Sequence, residues 1–158
     1  MKIFVGSDHA GFGLKEKLKL YLLELGHEVE DKGAFEYKED DDFPDFIVPV
    51  AREVSMRPHD VRGIVFGGSG QGEGMAANKF RNVRATVFYG ERDCIVTEEH
   101  ESIIKISRAD NDANLLSIGV RFVSEEETKQ AVKEWLDTPF KKEEKYQRRI
   151  LKMEKIHE

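Results

Sequence analysis

Five short, mostly apolar segments alternate along this chain with segments whose apolar residues recur every three or four positions. The short segments are predicted strands, at residues 2–6, 27–31, 62–66, 83–89 and 115–119. Strands that alternate with helices pair in parallel, because each crossover helix returns the chain to the same end of the sheet. The sequence therefore predicts a three-layer α/β architecture with a five-stranded, mostly parallel sheet, in one domain spanning residues 1–158.

The first helices are predicted from periodicity and from residues that end helices. Apolar residues at helical spacing indicate one helix that Gly26 terminates. A second is expected from Phe46 to about Ser55, with Pro49 early in it or at a kink. A third should start near residues 72–74, directly after a glycine-rich segment.

The C-terminal half carries its own helix signals. Ser124, followed three residues later by Glu127, forms a capping-box pattern that predicts the start of a helix. The charged tail, 141–158, is a further predicted helix with an apolar stripe. By contrast, the acidic stretch 36–45 is predicted to be a solvated loop, and residues 90–101 form a polar cluster.

The charge balance and the cysteine count exclude several functional classes. With 31 acidic and 25 basic residues, the 158-residue chain has a formal net charge of −6, which disfavours a general nucleic-acid binder. No apolar run reaches the roughly 18 residues of a membrane span, and the N-terminus does not read as a signal peptide. A single cysteine, Cys94, excludes an internal disulfide framework. We therefore expect a cytoplasmic protein without membrane or nucleic-acid partners.

The glycine-rich segment after the third predicted strand is the strongest chemical signal. Five glycines fall within residues 67–74, between a strand and a helix start. Glycines there let backbone N–H groups converge on an anion, and the helix dipole adds positive potential. The segment is neither a P-loop nor a dinucleotide fingerprint. The alternative is a tight turn that binds no ligand.

Polar residues beside this loop could carry the chemistry. Glu73 follows the loop glycines, so it could move a proton while the loop holds an oxyanion, or it could simply favour the helix dipole. Asp8 and His9 follow the first strand, at the sheet edge where ligands bind in such folds. Alternatively, Asp8 is a helix cap and His9 an exposed histidine.

Basic and amide side chains later in the chain suit a phosphate group. Asn111 and Arg121 flank the fifth strand, while Lys145 and Arg149 lie on the tail helix. Arginine suits phosphate because its planar guanidinium donates two parallel hydrogen bonds. The alternative for the tail is a solvated basic face.

Four motifs, in this order, resemble the ribose-5-phosphate isomerase B family, which includes the galactose-6-phosphate isomerase subunits. They are Gly-Ser-Asp-His-Ala-Gly-Phe at 6–12, the glycine loop with Ala-Ala-Asn-Lys at 76–79, Ser-Arg with Asn-Asp-Ala-Asn within 107–114, and Gln-Arg-Arg at 147–149. The resemblance spans nearly the whole chain, and the combination is far more specific than any one motif.

Membership implies a Rossmann-like, flavodoxin-like fold and an aldose–ketose isomerase that uses neither metal nor cofactor. It also implies a homodimer, sometimes a tetramer, with each active site built from two subunits. The apolar stripe of the tail helix, 141–158, is expected to pack on the partner, or alternatively on its own domain. The family's base is either a cysteine at the position of Gly67 or a glutamate at that of Glu73, so this chain resembles the glutamate type. Glu73, Asp110 and Ser69 are then the catalytic residues. The residues expected to bind substrate or phosphate are Asp8, His9, Gly68, Gly70, Gln71, Gly72, Asn111, Arg121, Lys145 and Arg149.

The sequence departs from the family pattern at three places. Asp110 stands where the family has a histidine credited with opening the sugar ring, so either Asp110 relays that proton or the ring opens by another route. The stretch 89–106 is about ten residues longer than usual and contains His100, which either replaces the missing histidine or is a surface residue. Lys145 stands for a phosphate-binding arginine, and Tyr146 for its neighbouring histidine.

The predicted function is the interconversion of D-ribose 5-phosphate and D-ribulose 5-phosphate through a cis-enediolate. Proton removal next to a carbonyl needs both a base and oxyanion stabilisation, which Glu73 and the loop 68–72 would supply. Two alternatives stay open. One is an isomerase of another sugar phosphate, such as galactose 6-phosphate or allose 6-phosphate, and the other is a non-catalytic sugar-phosphate-binding module.

Overall fold

The residues that the structure describes, 1–91 and 102–157 of a computed structural model, contain one five-stranded parallel sheet. Its strands are β1 (Lys2–Ser7), β2 (Glu28–Asp31), β3 (Val61–Gly67), β4 (Ala85–Phe88) and β5 (Leu115–Gly119). Each strand lies where the sequence predicts it, with ends that differ by at most two residues. The strand order is β2-β1-β3-β5-β4, and every neighbouring pair is parallel. The predicted α/β fold is confirmed.

Helices cover both faces of the sheet. They are α1 (Phe12–Glu24), α2 (Pro44–Met56), α3 (Gln71–Ala77), α4 (Ile103–Ala109), α5 (Glu125–Asp137) and α6 (Glu144–Glu154), followed by a 3₁₀ turn (Lys155–His157). Because side chains alternate along a strand, Ile3 and Val5 join α1, α4 and α5 in one apolar cluster, while Phe4 joins α2 and α3 in the other. None of the described helices is long and apolar enough to cross a membrane.

Two of the predicted helix ends are confirmed by their hydrogen bonds and backbone angles. The Ser124 hydroxyl accepts the Glu127 N–H at 3.2 Å, and the Glu127 carboxylate accepts the Ser124 N–H at 2.8 Å, which is a complete capping box at the start of α5. Gly26 follows α1 with a φ of 82°, the left-handed conformation expected of a helix-terminating glycine. Local sequence therefore determines where these two helices stop and start.

Other elements differ from the prediction. α2 begins at Pro44, earlier than expected, so Pro49 lies within the helix. α6 is shorter than the predicted 141–158, because the backbone of Glu143 is extended and the chain forms a 3₁₀ turn after Glu154. α4 was not predicted at all: it spans only two turns, too few for a periodic pattern, although the Ser102 hydroxyl accepts the Lys105 N–H as a cap. The loop 36–45 is not wholly solvated, since the Asp41 side chain is only 7% exposed.

The strand order reverses next to β1, and this position determines where a ligand can bind. From β1 the chain moves outward to β2 and then returns to place β3 on the other side of β1. In open parallel sheets such a reversal leaves a crevice outside the carboxyl ends of the strands. The register pairs Ser7 with Phe66 and Gly67 with Gly119. The loops that follow β1, β3 and β5 therefore lie side by side at this edge.

Candidate active site

The glycine loop after β3 is held in place by the end of β5. Gly70 caps α3 with a φ of 74°, and a Cβ there would lie 3.0 Å from the Gly119 nitrogen. The Ser117 hydroxyl donates to the Gly70 carbonyl at 2.6 Å, and the Gln71 N–H donates to the Ser69 hydroxyl at 3.3 Å. A glycine is thus required at position 70 both by its backbone angle and by this close packing.

Glu73 lies in the first turn of α3, and its side chain packs against the start of this loop. It is only 5% exposed, and its carboxylate fills the space above Gly67: a Cβ built on Gly67 would overlap Oε1 and lie 2.7 Å from Oε2. Burial raises the pKa of the Glu73 carboxyl, and the negative charge of Asp8 raises it further, while the residue's own backbone N–H opposes the rise. A raised pKa makes the carboxylate a stronger base, which suits proton transfer near neutral pH.

Asp8 shapes the loop after β1. Its Oδ1 accepts the N–H groups of Ala10 and Gly11, at 3.0 and 3.2 Å, which forms a turn ahead of α1. The N-cap of α1 is Gly11, without a side-chain cap, so the alternative prediction of Asp8 as a helix cap is wrong. A Cβ on Gly11 would lie 2.5 Å from the Phe66 Cβ, which shows how closely this loop packs on the end of β3. That packing places Asp8 near enough to Glu73 for the two charges to interact.

His9 is anchored by Asp41 from the loop that precedes α2. Asp41 Oδ1 lies 2.7 Å from His9 Nδ1 and accepts the His9 backbone N–H at 3.0 Å. This hydrogen bond raises the pKa of the His9 imidazole; partial burial opposes the rise, Asp8 adds to it, and Arg121 opposes it. The sequence analysis missed Asp41, because it is one of three consecutive aspartates, 40–42, and nothing local distinguishes it.

Arg121, which follows β5, lies over the glycine loop. Its backbone N–H donates to the Gly68 carbonyl at 3.1 Å, and a Cβ on Gly68 would lie 3.0 Å from its Cζ. The structure thus brings together, at the carboxyl edge of the sheet, more than half of the predicted site residues. They are Asp8, His9, Gly68, Ser69, Gly70, Gln71, Gly72, Glu73 and Arg121.

The other predicted site residues do not reach this edge within the same chain. Asp110 and Asn111 precede β5, whose length alone separates its two ends by roughly 13 Å. Lys145 and Arg149 lie on α6, where both stack on the ring of Tyr146 at 4.6 and 5.8 Å. The site predicted from the sequence is therefore split into two groups in one chain.

Asp110 is engaged by a lysine. It caps the C-terminus of α4, and its Oδ1 lies 2.9 Å from Lys141 Nζ. Asp110 is therefore already paired within its own chain. Its assignment as a catalytic residue stays a prediction, and His100, the other candidate for ring opening, lies outside the described residues.

The turn that carries Asn111 is fixed by a network that sequence reasoning did not find. Asp112 has a φ of 46°, and its two carboxylate oxygens accept hydrogen bonds from Arg84 and Arg108, at 2.9 and 2.8 Å. Arg84 also donates to the Asp112 carbonyl at 2.9 Å. Asn111 itself is exposed and lines a cavity of about 540 Å³ together with Met153 of α6. The network holds this turn in one conformation.

Within residues 1–91 and 102–157, one group of potential metal ligands has its atoms close together: Asp8, His9 and Asp41, all within 4.8 Å. Some of their atoms take part in hydrogen bonds: His9 Nδ1 pairs with Asp41 Oδ1, and Asp8 Oδ1 accepts two backbone N–H groups. Asp41 Oδ2, by contrast, has no hydrogen-bond partner in the described parts of the chain. The three side chains thus form one polar cluster at the carboxyl edge of the sheet.

Comparisons with known proteins agree with this arrangement. The model of a family described as Ribose/Galactose Isomerase matches residues 3–153. The chain is 38% identical over 150 residues to ribose-5-phosphate isomerase B of Mycolicibacterium paratuberculosis, covering 95% of this chain and 87% of the relative. It is 37% identical over 139 residues to ribose-5-phosphate isomerase B of Escherichia coli, covering 88% and 85%. The crystal structure of ribose-5-phosphate isomerase B from Mycoplasma genitalium with bound ribulose-5-phosphate has a TM-score of 0.89 at 31% identity, covering 99% of this chain and 95% of that chain.

Proposed function

Since this chain belongs to the ribose/galactose isomerase family, we propose that it interconverts D-ribose 5-phosphate and D-ribulose 5-phosphate. The observation that carries the proposal is the buried carboxylate of Glu73, placed over Gly67 at the start of the glycine loop. The relatives named above are ribose-5-phosphate isomerases, and the Mycoplasma genitalium enzyme binds ribulose 5-phosphate. The chain is thus an aldose–ketose isomerase.

The reaction moves two protons on an open-chain sugar. Glu73 removes the proton from C2 of the aldose, and the electron pair forms the C1–C2 double bond of a cis-enediolate while the carbonyl oxygen becomes an oxyanion. Backbone N–H groups of the loop 68–72 hold that oxyanion. Glu73 then returns its proton to C1, and the hydroxyl proton of O2 moves to O1, which leaves the ketose. The raised pKa of Glu73 suits both halves, because the group must take and release the same proton.

A second copy of the chain completes the site in this proposal. The substrate phosphate is a dianion, and the carboxyl edge supplies the guanidinium of Arg121 and the ring of His9, whose pKa is raised. Asn111, Lys145 and Arg149 lie too far from it in the same chain. Apolar side chains are exposed beside Asn111, at Met153 and Ile156, which suits a protein contact. We therefore propose that these residues belong to the partner's site, in a homodimer or a tetramer.

A second candidate function is favoured by one position. Asp110 stands where the resemblance predicts a ring-opening histidine, and Lys141 holds it as an ion pair. An isomerase for another sugar phosphate, such as galactose 6-phosphate, is the alternative that this departure supports. A binding-only module is disfavoured, because a buried carboxylate next to an anionic ligand is costly unless it has a chemical role. A cytoplasmic location stays a prediction.

Deuterium exchange tests the proposal. Purified protein is incubated in heavy water with ribose 5-phosphate, ribulose 5-phosphate and hexose 6-phosphates, and exchange at C1 and C2 is followed by proton NMR. We expect exchange with the pentose phosphates, and a loss of turnover of about 10²-fold or more in Glu73→Gln with little change in KM. Glu126→Gln, at an exposed position on α5, is the matched control.

Two outcomes would redirect the assignment. Exchange with a hexose phosphate alone would move the chain to the second candidate function. Saturable binding of sugar phosphates without exchange or turnover, in the unmodified protein and in both variants, would support the binding module instead.

A further inference from the structure

We propose that Asp41 is a positioning residue for His9, which holds the ring as an imidazolium whose Nε2–H donates to the phosphate of the substrate. This inference rests on the proposed function, since it names what one side chain of that site recognises. Asp41 lies 32 residues from His9 along the chain and belongs to a different loop.

Asp41 holds His9 at two atoms, one on the backbone and one on the ring. One carboxylate oxygen, Oδ1 of Asp41, accepts the backbone N–H of His9 at 3.0 Å and pairs with its Nδ1 at 2.7 Å. The Asp41 side chain is 7% exposed, whereas that of His9 is 29% exposed, so the anchor is buried and the ring reaches the surface of the pocket. The ring of Tyr37 also contacts the His9 ring in an edge-to-face arrangement, with 6.4 Å between the two centroids. His9 is therefore preorganised before any ligand binds.

The anchor also determines which ring nitrogen faces the ligand. A carboxylate accepts but does not donate, so the short contact requires a proton on Nδ1. In neutral histidine that leaves Nε2 as an acceptor, which would repel a phosphate oxygen. Only the imidazolium carries a second N–H, and Nε2 has no hydrogen-bond partner among residues 1–91 and 102–157. Binding an anion through Nε2 thus depends on the charge of the ring.

The charges that face His9 favour this form. Asp41 and Asp8 both raise the pKa of His9, whereas Arg121 and partial burial lower it. Within the described parts of the chain, Asp41 Oδ2 is buried without a hydrogen-bond partner, so His9 is the group that compensates this carboxylate. Arg121 lies close enough for its charge to act on His9, so an anion bound at this edge would be stabilised by both groups. The anion that the proposed reaction supplies is the substrate phosphate.

Steady-state kinetics from pH 6 to 9 test the inference with three variants: Asp41→Asn, which keeps the shape and removes the charge, Asp41→Ala, and Asp40→Asn as an exposed acidic control from the same loop. Each value is divided by that of the unmodified protein, so that the titration of the substrate phosphate cancels. At pH 8 we expect D41N to raise KM, and the inhibition constant of inorganic phosphate, by a common factor of about ten, with kcat within about twofold.

The pH dependence of kcat/KM shows in which direction Asp41 shifts the pKa of His9. Because loss of Asp41 lowers the pKa of His9, the alkaline limb of kcat/KM should move to lower pH. The defect should then shrink as the pH falls, because the ring becomes protonated in both proteins. Nitrogen-15 NMR titration of the histidine rings measures that shift directly, with or without turnover. It therefore tests the Asp41–His9 pair even if the unmodified protein isomerises no pentose phosphate.

Three results would overturn the inference. A loss of kcat at every pH without a shift of the limb would make Asp41 a structural residue only. A second contrary result would be an unchanged inhibition constant of inorganic phosphate, with slower conversion of ribose 5-phosphate but normal proton exchange from ribulose 5-phosphate. It would assign His9 to ring opening, because the ketose has no furanose ring to open. An unchanged His9 titration in D41N would remove the electrostatic argument altogether.

Discussion

Substitution of Gly67 by alanine should damage catalysis through Glu73 without touching the substrate. A Cβ at position 67 overlaps Glu73 Oε1 and lies 2.7 Å from Oε2, whereas ordinary non-bonded contact needs about 3.5 Å. The carboxylate must therefore move by about 1 Å or more. A misplacement of that size typically reduces turnover about 10²-fold. Because the displaced group is the tip of a buried side chain, we also expect a loss of about 1–3 kcal/mol in the free energy of unfolding.

A double-mutant cycle isolates this effect. In the Glu73→Ala background there is no carboxylate to displace, so Gly67→Ala should cost little stability. Gly13→Ala is the matched control, because a Cβ there meets nothing within 4 Å, and in helix α1 it should add about 0.5–1 kcal/mol. Urea unfolding and initial rates provide the two measurements. A G67A protein with kcat within about threefold of the unmodified protein, or an equal stability loss in both backgrounds, would refute the reasoning.

Two further predictions concern charge. Because burial raises the pKa of Glu73, kcat should fall as the pH drops through that raised value. For the same reason E73Q should melt at a higher temperature than the unmodified protein at pH 8, and the difference should vanish below about pH 4. Equal melting temperatures at pH 8 would contradict the burial argument. Asp112→Ala leaves Arg84 and Arg108 without their shared carboxylate, so urea unfolding should show a loss of about 3 kcal/mol, and a loss below 1 kcal/mol would mean that water replaces the pair.

Local patterns predicted the framework of this molecule well. The strands, the helix end at Gly26 and the capping box at Ser124 depend on residues within a few positions of one another, and the structure confirms them. The edge that carries the glycine loop followed from one rule, that ligands bind at the carboxyl ends of parallel strands. Those features require no knowledge of distant contacts.

The contacts that sequence reasoning missed are long-range or short-element features. Asp41 meets His9 across 32 residues, and its two aspartate neighbours offer the same chemistry, so only the fold selects it. α4 has seven residues, which is too short for helical periodicity to emerge. The division of the predicted site into two groups, by contrast, follows from the sequence: Asn111 precedes β5 and Arg121 follows it, so the two residues lie at opposite ends of this strand.

A Cβ at position 67 and the carboxylate of Glu73 exclude each other, so a substitution at one position changes what fits at the other. In the family that this sequence resembles, the base is either a cysteine at the first position or a glutamate at the second. A cysteine at position 67 of this chain would have to displace the buried carboxylate, and loss of the glutamate alone would leave neither base. The overlap thus couples the two positions at which the two catalytic types differ.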